Sequence, residues 1–188
     1  VAIGVLEKLG KKGDIVSEKA IYQGPIFKLV QQDIKTPDQM TVKRDVVFHK
    51  PAVAVLALTP DQKVVVNVEY RAGVNQESLA LPAGLLNDGE TPLVAAKREL
   101  QEETGYVARD LQIMTTVASS EGFTDERVTL VLAQIETDQK AAKNFDRDEF
   151  VTSGLMDYQD LRTRIQTGTV ASAQTVSAVG FYELFCRK

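Results

Sequence analysis

GLLNDGETPLVAAKRELQEETGY, residues 84 to 106, is a loop that opens into one helix with a crowded acidic face. Thr91 and Pro92 predict the helix start, a capping hydroxyl followed by proline at the first helical position. Gly105 predicts its end, since a helix commonly stops on a residue that tolerates left-handed geometry. Between them Leu93, Ala96 and Leu100 recur at helical spacing and predict a buried stripe. Glu99, Glu102 and Glu103 stand at i, i+3 and i+4, so the three carboxylates share another face. Like charges so placed weaken an isolated helix by roughly a few tenths of a kcal/mol per pair. Hard divalent cations are the natural counterweight.

Three glutamates on a helix more often form a solvated face than a metal site, so the surrounding identities have to decide. Gly84 is followed by five residues and Glu90, then by seven and Arg98-Glu99-Leu100. One more residue leads to Glu102-Glu103, and one more to Gly105-Tyr106. The arrangement resembles, without a gap, the signature of the Nudix hydrolases. Tyr106 is the softest match, an aliphatic residue being commoner there.

The resemblance implies an α/β/α sandwich built on a mixed sheet, which the rest of the chain suits. AVAVLAL (52 to 58) predicts a central strand, and KVVVNVE predicts another with Val64, Val66 and Val68 on one face. SLALP is a short strand leading into the acidic stretch. After the helix, Leu111, Ile113 and Val117 alternate, RVTLVLAQI (127 to 135) is a strong strand, and FVTSGLM is a last one. Residues 136 to 149 are polar and predict a long functional loop. Tyr158, Leu161 and Ile165 predict a helix ended by Gly168, and Ala173 to Phe185 predicts a final one. Ahead of this α/β (α+β) domain, short β-like runs from Ala20 to Val47 predict an antiparallel arm. The expected division is an arm over 1–50 and a hydrolase domain over 51–188.

Nudix enzymes hydrolyse a nucleoside diphosphate linked to another group, and the resemblance implies metal-assisted attack of water on the pyrophosphate. Two negative charges on that group repel hydroxide, so cations must bridge substrate and protein. Mg²⁺ prefers oxygen ligands and retains waters, so a few carboxylates suffice; Mn²⁺ is a possible substitute. Glu99 and Glu103, one turn apart, are the best metal pair. Glu102 binds a second ion or orients a water. The resemblance adds the main-chain carbonyl of Ala83 as a ligand, with Pro82 stiffening the approach and Gly84 permitting a turn. Arg98 either braces the carboxylates or contacts substrate, and Glu90 reaches Arg98 or the loop backbone. His49, the sole histidine, is read as a strand-end packing or hydrogen-bonding residue.

Outside this box, IYQG, RDVVFHKPAVAVL, VEYRAG, LPAG and TGTVASAQT resemble the ADP-ribose pyrophosphatase branch, so the likeness covers most of the chain from Ser17 onward. It implies a homodimer in which the arm completes the partner's nucleotide site. Arg71 would then face the phosphates and Arg44 would come from the arm. Arginine's planar fork suits both tasks. A catalytic glutamate is expected on a later loop, among Asp146, Asp148 and Glu149, with Glu149 favoured. Two departures bear on the substrate. Ser120-Glu121-Gly122 stands where the branch often has Ser-Pro-Gly, and Ala80 where it often has glutamate. The leading reading is Mg²⁺-dependent cleavage of ADP-ribose or an ADP-sugar. Alternatives are another nucleoside diphosphate sugar such as GDP-mannose, a dinucleotide polyphosphate, or a sensor that binds ADP-ribose without cleaving it.

Composition narrows the partners. A net charge of −4 over 188 residues argues against a broad nucleic-acid surface. No apolar run reaches the ~18 residues of a membrane span. The opening VAIGVLEKLGKK has apolar residues before basic ones, the wrong order for a secretory signal, so a cytoplasmic enzyme is expected. Its first residue, Val1, leaves the origin of that lead open. Cys186 has no partner for an internal disulfide and is expected to pack on the last helix.

Overall fold

Every residue of β4 (Ala52–Leu58) is buried, although a strand presents its side chains alternately to opposite faces. Both faces must therefore be covered, and β4 sits at the centre of a layered domain. It runs antiparallel to β5 (Lys63–Arg71) and parallel to β9 (Arg127–Lys140) in the order β10-β5-β4-β9-β8. Here β8 is Tyr106–Ala118 and β10 is Val151–Asp157. Two short strands join the same sheet, β6 (Gln76–Ala80) against β5 and β7 (Ala83–Leu85) against β4.

The alternation of β4 sorts the core into two layers. Val53, Val55 and Ala57, with Val65 of β5, pack against Ala95, Ala96 and Leu100 of helix α1 (Pro92–Thr104). Ala52, Ala54, Leu56 and Leu58 join the opposite layer, with Tyr158 and Leu161 of α2 (Tyr158–Gln166). Ala178 and Val179 of α3 (Ala173–Phe181) complete it. The result is the α/β/α sandwich with a mixed sheet that the resemblance implied. Burying a Val or Leu side chain contributes about 1.5–3 kcal/mol, so β4 anchors the domain on both sides.

The computed structural model describes residues 11–141 and 151–187. Its first sheet is antiparallel, in the order β1 (Asp14–Gln23), β2 (Phe27–Lys35), β3 (Thr41–His49). Contacts divide the chain into two compact units, one of them the residues through Lys50 together with Ser120–Glu126, the other Pro51–Ser119 with Arg127–Lys188. The inserted segment belongs to the first unit through its backbone. Val47 N donates to Phe123 O at 2.8 Å, and Asp125 N to Val47 O at 3.2 Å. No helix among the described residues is long and apolar enough to cross a membrane.

Several local expectations need correction. The first strand begins at Asp14, ahead of the run that starts at Ala20. Residues 136 to 140 are not loop but the end of β9, which stays paired to the start of β8 across bulges. Polar composition hid this, because hydrogen bonding to a neighbouring strand does not require apolar side chains. The last helix is regular only to Phe181 and continues as a π-helical turn, Tyr182–Cys186, where Cys186 is partly buried and packs against the core as expected. Helix α1 ends at Gly105 with φ 77°, as expected, but the Thr91 hydroxyl makes no capping hydrogen bond. Its buried stripe is Ala95, Ala96 and Leu100, whereas Leu93, in the first turn, is 37% exposed.

Candidate active site

Strand β7 brings the loop ahead of α1 beneath the helix, with Gly84 paired to Val53 of β4. A Cβ on Gly84 would overlap the carboxylate of Glu99. The glycine is thus required for close approach of a side chain to the main chain, in an extended strand and not at the expected turn. Glu99 lies over this bare stretch of backbone, next to Ala83.

Arg98 organises what surrounds it. Its Nε donates to Glu90 Oε1 at 2.9 Å, and Nη2 donates to Glu90 Oε2 at 2.8 Å and to Leu85 O at 3.0 Å. Nη1 donates to Glu99 Oε1 at 2.7 Å and to Glu102 Oε2 at 3.0 Å. A guanidinium has five N–H donors, and these bonds use all of them. That geometry favours the bracing role over substrate contact. Glu90 fulfils both expectations for it, holding Arg98 in a fork and accepting from Asn87 N of the loop at 2.9 Å. The hydrogen bond from Arg98 holds the Glu90 carboxyl below the usual carboxylate range. The same bond, with Glu99 and Glu102 adding to it, pushes the Arg98 pKa up, so its charge is permanent.

Glu103 departs from its two neighbours. It is 7% exposed, and its Oε2 accepts from Asn67 Nδ2 at 2.8 Å and from Ala83 N at 3.2 Å. Its main-chain oxygen accepts from Ser153 Oγ of β10 at 3.2 Å. The carboxylates that share a helix face in sequence are therefore held by two separate devices, Arg98 for Glu99 and Glu102, Asn67 and Ala83 for Glu103. Asn67 and Ser153 were missed in the sequence reading. The available signal was a single asparagine inside the valine run of β5.

Among the described residues no three His, Cys, Asp or Glu side chains form a group that holds a metal ion by itself. The donor set still suits Mg²⁺ or Mn²⁺. Its groups are hard oxygens, one of them seated in a cradle that a single Cβ would fill. Mg²⁺ is commonly held by one or two carboxylates together with waters and substrate phosphates, not by an all-protein cage.

The other anticipated residues each have their own setting. Arg71 ends β5, 47% exposed, and pairs with Glu69 at 2.8 Å. Arg44 is on β3 in the first unit and donates to Lys43 O at 2.8 Å. Ala80 is buried and stands opposite Asn67 in the β5–β6 pairing. Glu121 is exposed in the turn whose Ser120 carbonyl accepts from Phe123 N and Thr124 N. His49 Nδ1 lies 2.7 Å from Lys50 O and 3.3 Å from Glu126 Oε1, a hydrogen-bonded strand end as expected. Asp146, Asp148 and Glu149 lie outside the described residues.

Comparison with known proteins agrees with this architecture. The NUDIX domain family matches residues 48–177. A methanol dehydrogenase activator of Bacillus methanolicus is 35% identical over 177 residues, spanning 94% of this chain and 95% of that protein. An ADP-ribose pyrophosphatase of Bacillus subtilis is 33% identical over 169 residues, 90% of this chain and 91% of the relative. The crystal structure of an ADP compounds hydrolase superposes with a TM-score of 0.81 at 20% identity, covering 92% and 93% of the two chains, which speaks to the fold alone.

Proposed function

The chain belongs to the Nudix family of hydrolases, and on that premise we propose that it cleaves the pyrophosphate of ADP-ribose or a related ADP-sugar, giving AMP and a sugar phosphate. The observation that carries this reading is the α1 network, in which a fully engaged Arg98 fixes two carboxylates beside the Gly84 cradle. The relative named ADP-ribose pyrophosphatase supports this choice of substrate.

Glu99, Glu102 and Glu103, with the Ala83 carbonyl, would hold Mg²⁺ or Mn²⁺. Such an ion supplies charge neutralisation and Lewis acidity at the pyrophosphate oxygens. Arg98 holds Glu99 and Glu102 in one orientation, so neither has to reorganise when substrate arrives. Arg71, with an exposed guanidinium at a strand end, suits the phosphates. Arg44, carried by the first sheet of the second protomer in a homodimer, suits the nucleotide end. In the chemical step a water oxygen bonds to phosphorus while the bridging P–O bond breaks. The proton of that water passes to a carboxylate, either Glu102 or Glu149. The enzyme acts on a small nucleoside diphosphate compound in the cytoplasm, without nucleic acid or membrane.

A substrate panel with Mg²⁺ tests this. AMP release from ADP-ribose is expected, and faster turnover of GDP-mannose or a dinucleotide polyphosphate would move the specificity to those alternatives. Tight ADP-ribose binding with no turnover of any compound would identify a sensor instead. Light scattering that reports a monomer at assay concentration would remove the role of Arg44 across subunits. The full-length likeness to a methanol dehydrogenase activator favours a second reading, activation of such a dehydrogenase. Adding the purified chain to a methanol dehydrogenase assay, with and without Glu103→Gln, decides whether it activates and whether hydrolysis is needed.

A further inference from the structure

Asn67 interrupts the run Val64, Val65, Val66, Val68 in β5. Val65, two residues earlier and therefore on the same face, packs with Ala95, Ala96 and Leu100 beneath α1. Hydrophobic patterning calls for another apolar residue at 67. The asparagine there is nonetheless 4% exposed, and its Nδ2 donates to Glu103 Oε2 at 2.8 Å. The orientation of the amide follows from chemistry, because an ionised carboxylate can only accept. Its Oδ1 is buried and meets no protein donor among the described residues.

The flanking positions are small. Ala80 of β6 and Ser153 of β10 stand directly across from Asn67 on either side. Ser153 Oγ donates to the main-chain oxygen of Glu103. Two adjacent strands thus reach the same residue of α1, one at its carboxylate and one at its backbone. A buried amide with an unmatched acceptor is a poor way to stabilise a strand. A valine like its neighbours would pack the strand without that unmatched acceptor.

We infer that Asn67 is a positioning residue for Glu103, holding Oε2 so that the carboxylate meets its cation in one orientation. The inference rests on the hydrolase reading to the extent that Glu103 is taken as a metal ligand, and it assigns the part of the site that Arg98 does not control. Partners one step removed from a metal typically change affinity or activity by about 10–100-fold when lost.

The experiment compares the full chain with Asn67→Val by thermal unfolding, by Mn²⁺ titration without substrate, and by ADP-ribose hydrolysis. Expected are Mn²⁺ affinity and kcat lowered about 10–100-fold and KM little changed, in a chain that still folds although Glu103 loses its 2.8 Å donor. Placed on Glu103→Ala, Asn67→Val is expected to cause no further loss of Mn²⁺ affinity, since nothing remains to be positioned. A lower Tm with Mn²⁺ affinity and kcat within about twofold of the parent would assign Asn67 to the fold alone and overturn the inference. Multiplying losses in the double variant would do the same. If Asn67→Val does not fold, Asn67→Ser, too short to reach Glu103, carries the same readouts; failure of both to fold also overturns it. Weakened Mn²⁺ binding by Asn67→Val in a protein that cleaves no ADP-ribose would uphold the positioning role while removing the substrate assignment.

Discussion

On α1, Arg98 commits all five donors to Glu90, Glu99, Glu102 and the Leu85 carbonyl, with only a quarter of its side chain exposed. On the first sheet, Lys43 meets Asp33 at 2.8 Å with the lysine side chain 67% exposed. Both are ion pairs by distance, but they differ in what water can do for the charges. Around Arg98 the carboxylates are partly withdrawn from solvent, so losing one bond leaves a polar group that water cannot fully recover. At Lys43 water replaces the lost partner at once. The sheet carries its apolar side chains outward too, with Ile15, Val16, Ile21 and Tyr22 about half exposed on β1. Charge on α1 is locked into one partly buried network, and charge on the sheet is dispersed at a surface.

Substitutions can sharpen or break this contrast. The largest effect is expected for Glu103→Gln, which removes a charge from the proposed cation site without changing its shape. Its kcat should fall about 100–1,000-fold with an unchanged Tm, and near-parental turnover would contradict the metal assignment. Arg98→Lys keeps the charge but offers three donors in place of a five-donor fork. It should lower kcat about 10–100-fold and urea-measured stability by about 1–3 kcal/mol. Gly84→Ala should act on function more than on stability, because its Cβ displaces only the flexible end of Glu99. A roughly tenfold loss of kcat with a near-parental melting curve is expected, and full activity would show that Glu99 is free to move.

Smaller effects follow from protonation and from the sheet. Arg98 holds the Glu90 carboxyl below its ordinary value of 4.5. A depressed folded-state pKa contributes stability that is complete above the unfolded value and is lost as pH falls through the folded one. The stability difference between the parent and Glu90→Gln should therefore be constant at neutral pH and shrink on acidification below about 4.5. A constant difference down to acid unfolding would detach Glu90 from that dependence. Lys43→Ala on the sheet should leave both melting temperature and kcat unchanged within error, as an exposed pair contributes little. A clear loss there would erase the contrast between the two regions.

Much of this site was legible in the chain itself. The bounds of α1 followed from Pro92 and Gly105, and the place of Glu90 before the helix pointed to Arg98 or the loop backbone, both of which it reaches. The roles of Leu93 and Gly84 were less accessible. Leu93 obeys helical phase, but burial in a first turn depends on what the rest of the fold places there. Gly84 reads as a turn glycine until β7 is seen paired to β4 with Glu99 above it. Residues 136 to 140 were hidden by their polarity, since strand pairing there rests on the backbone and leaves no hydrophobic alternation to detect.

Spacing along one helix carries its own geometry, since 3.6 residues per turn fixes which carboxylates are neighbours. The acidic stretch was legible on its own as a resemblance to the Nudix signature, carried by the identities of Gly84, Glu90 and Arg98 together with that spacing. The division of labour within the stretch is not a local property. Glu103 turns inward to an asparagine 36 positions away, while Glu99 and Glu102 stay with Arg98. Helical phase cannot tell these glutamates apart. Only the stacking of α1 on β5 and β7 does, because it decides which carboxylate leaves water and which partner it must then find.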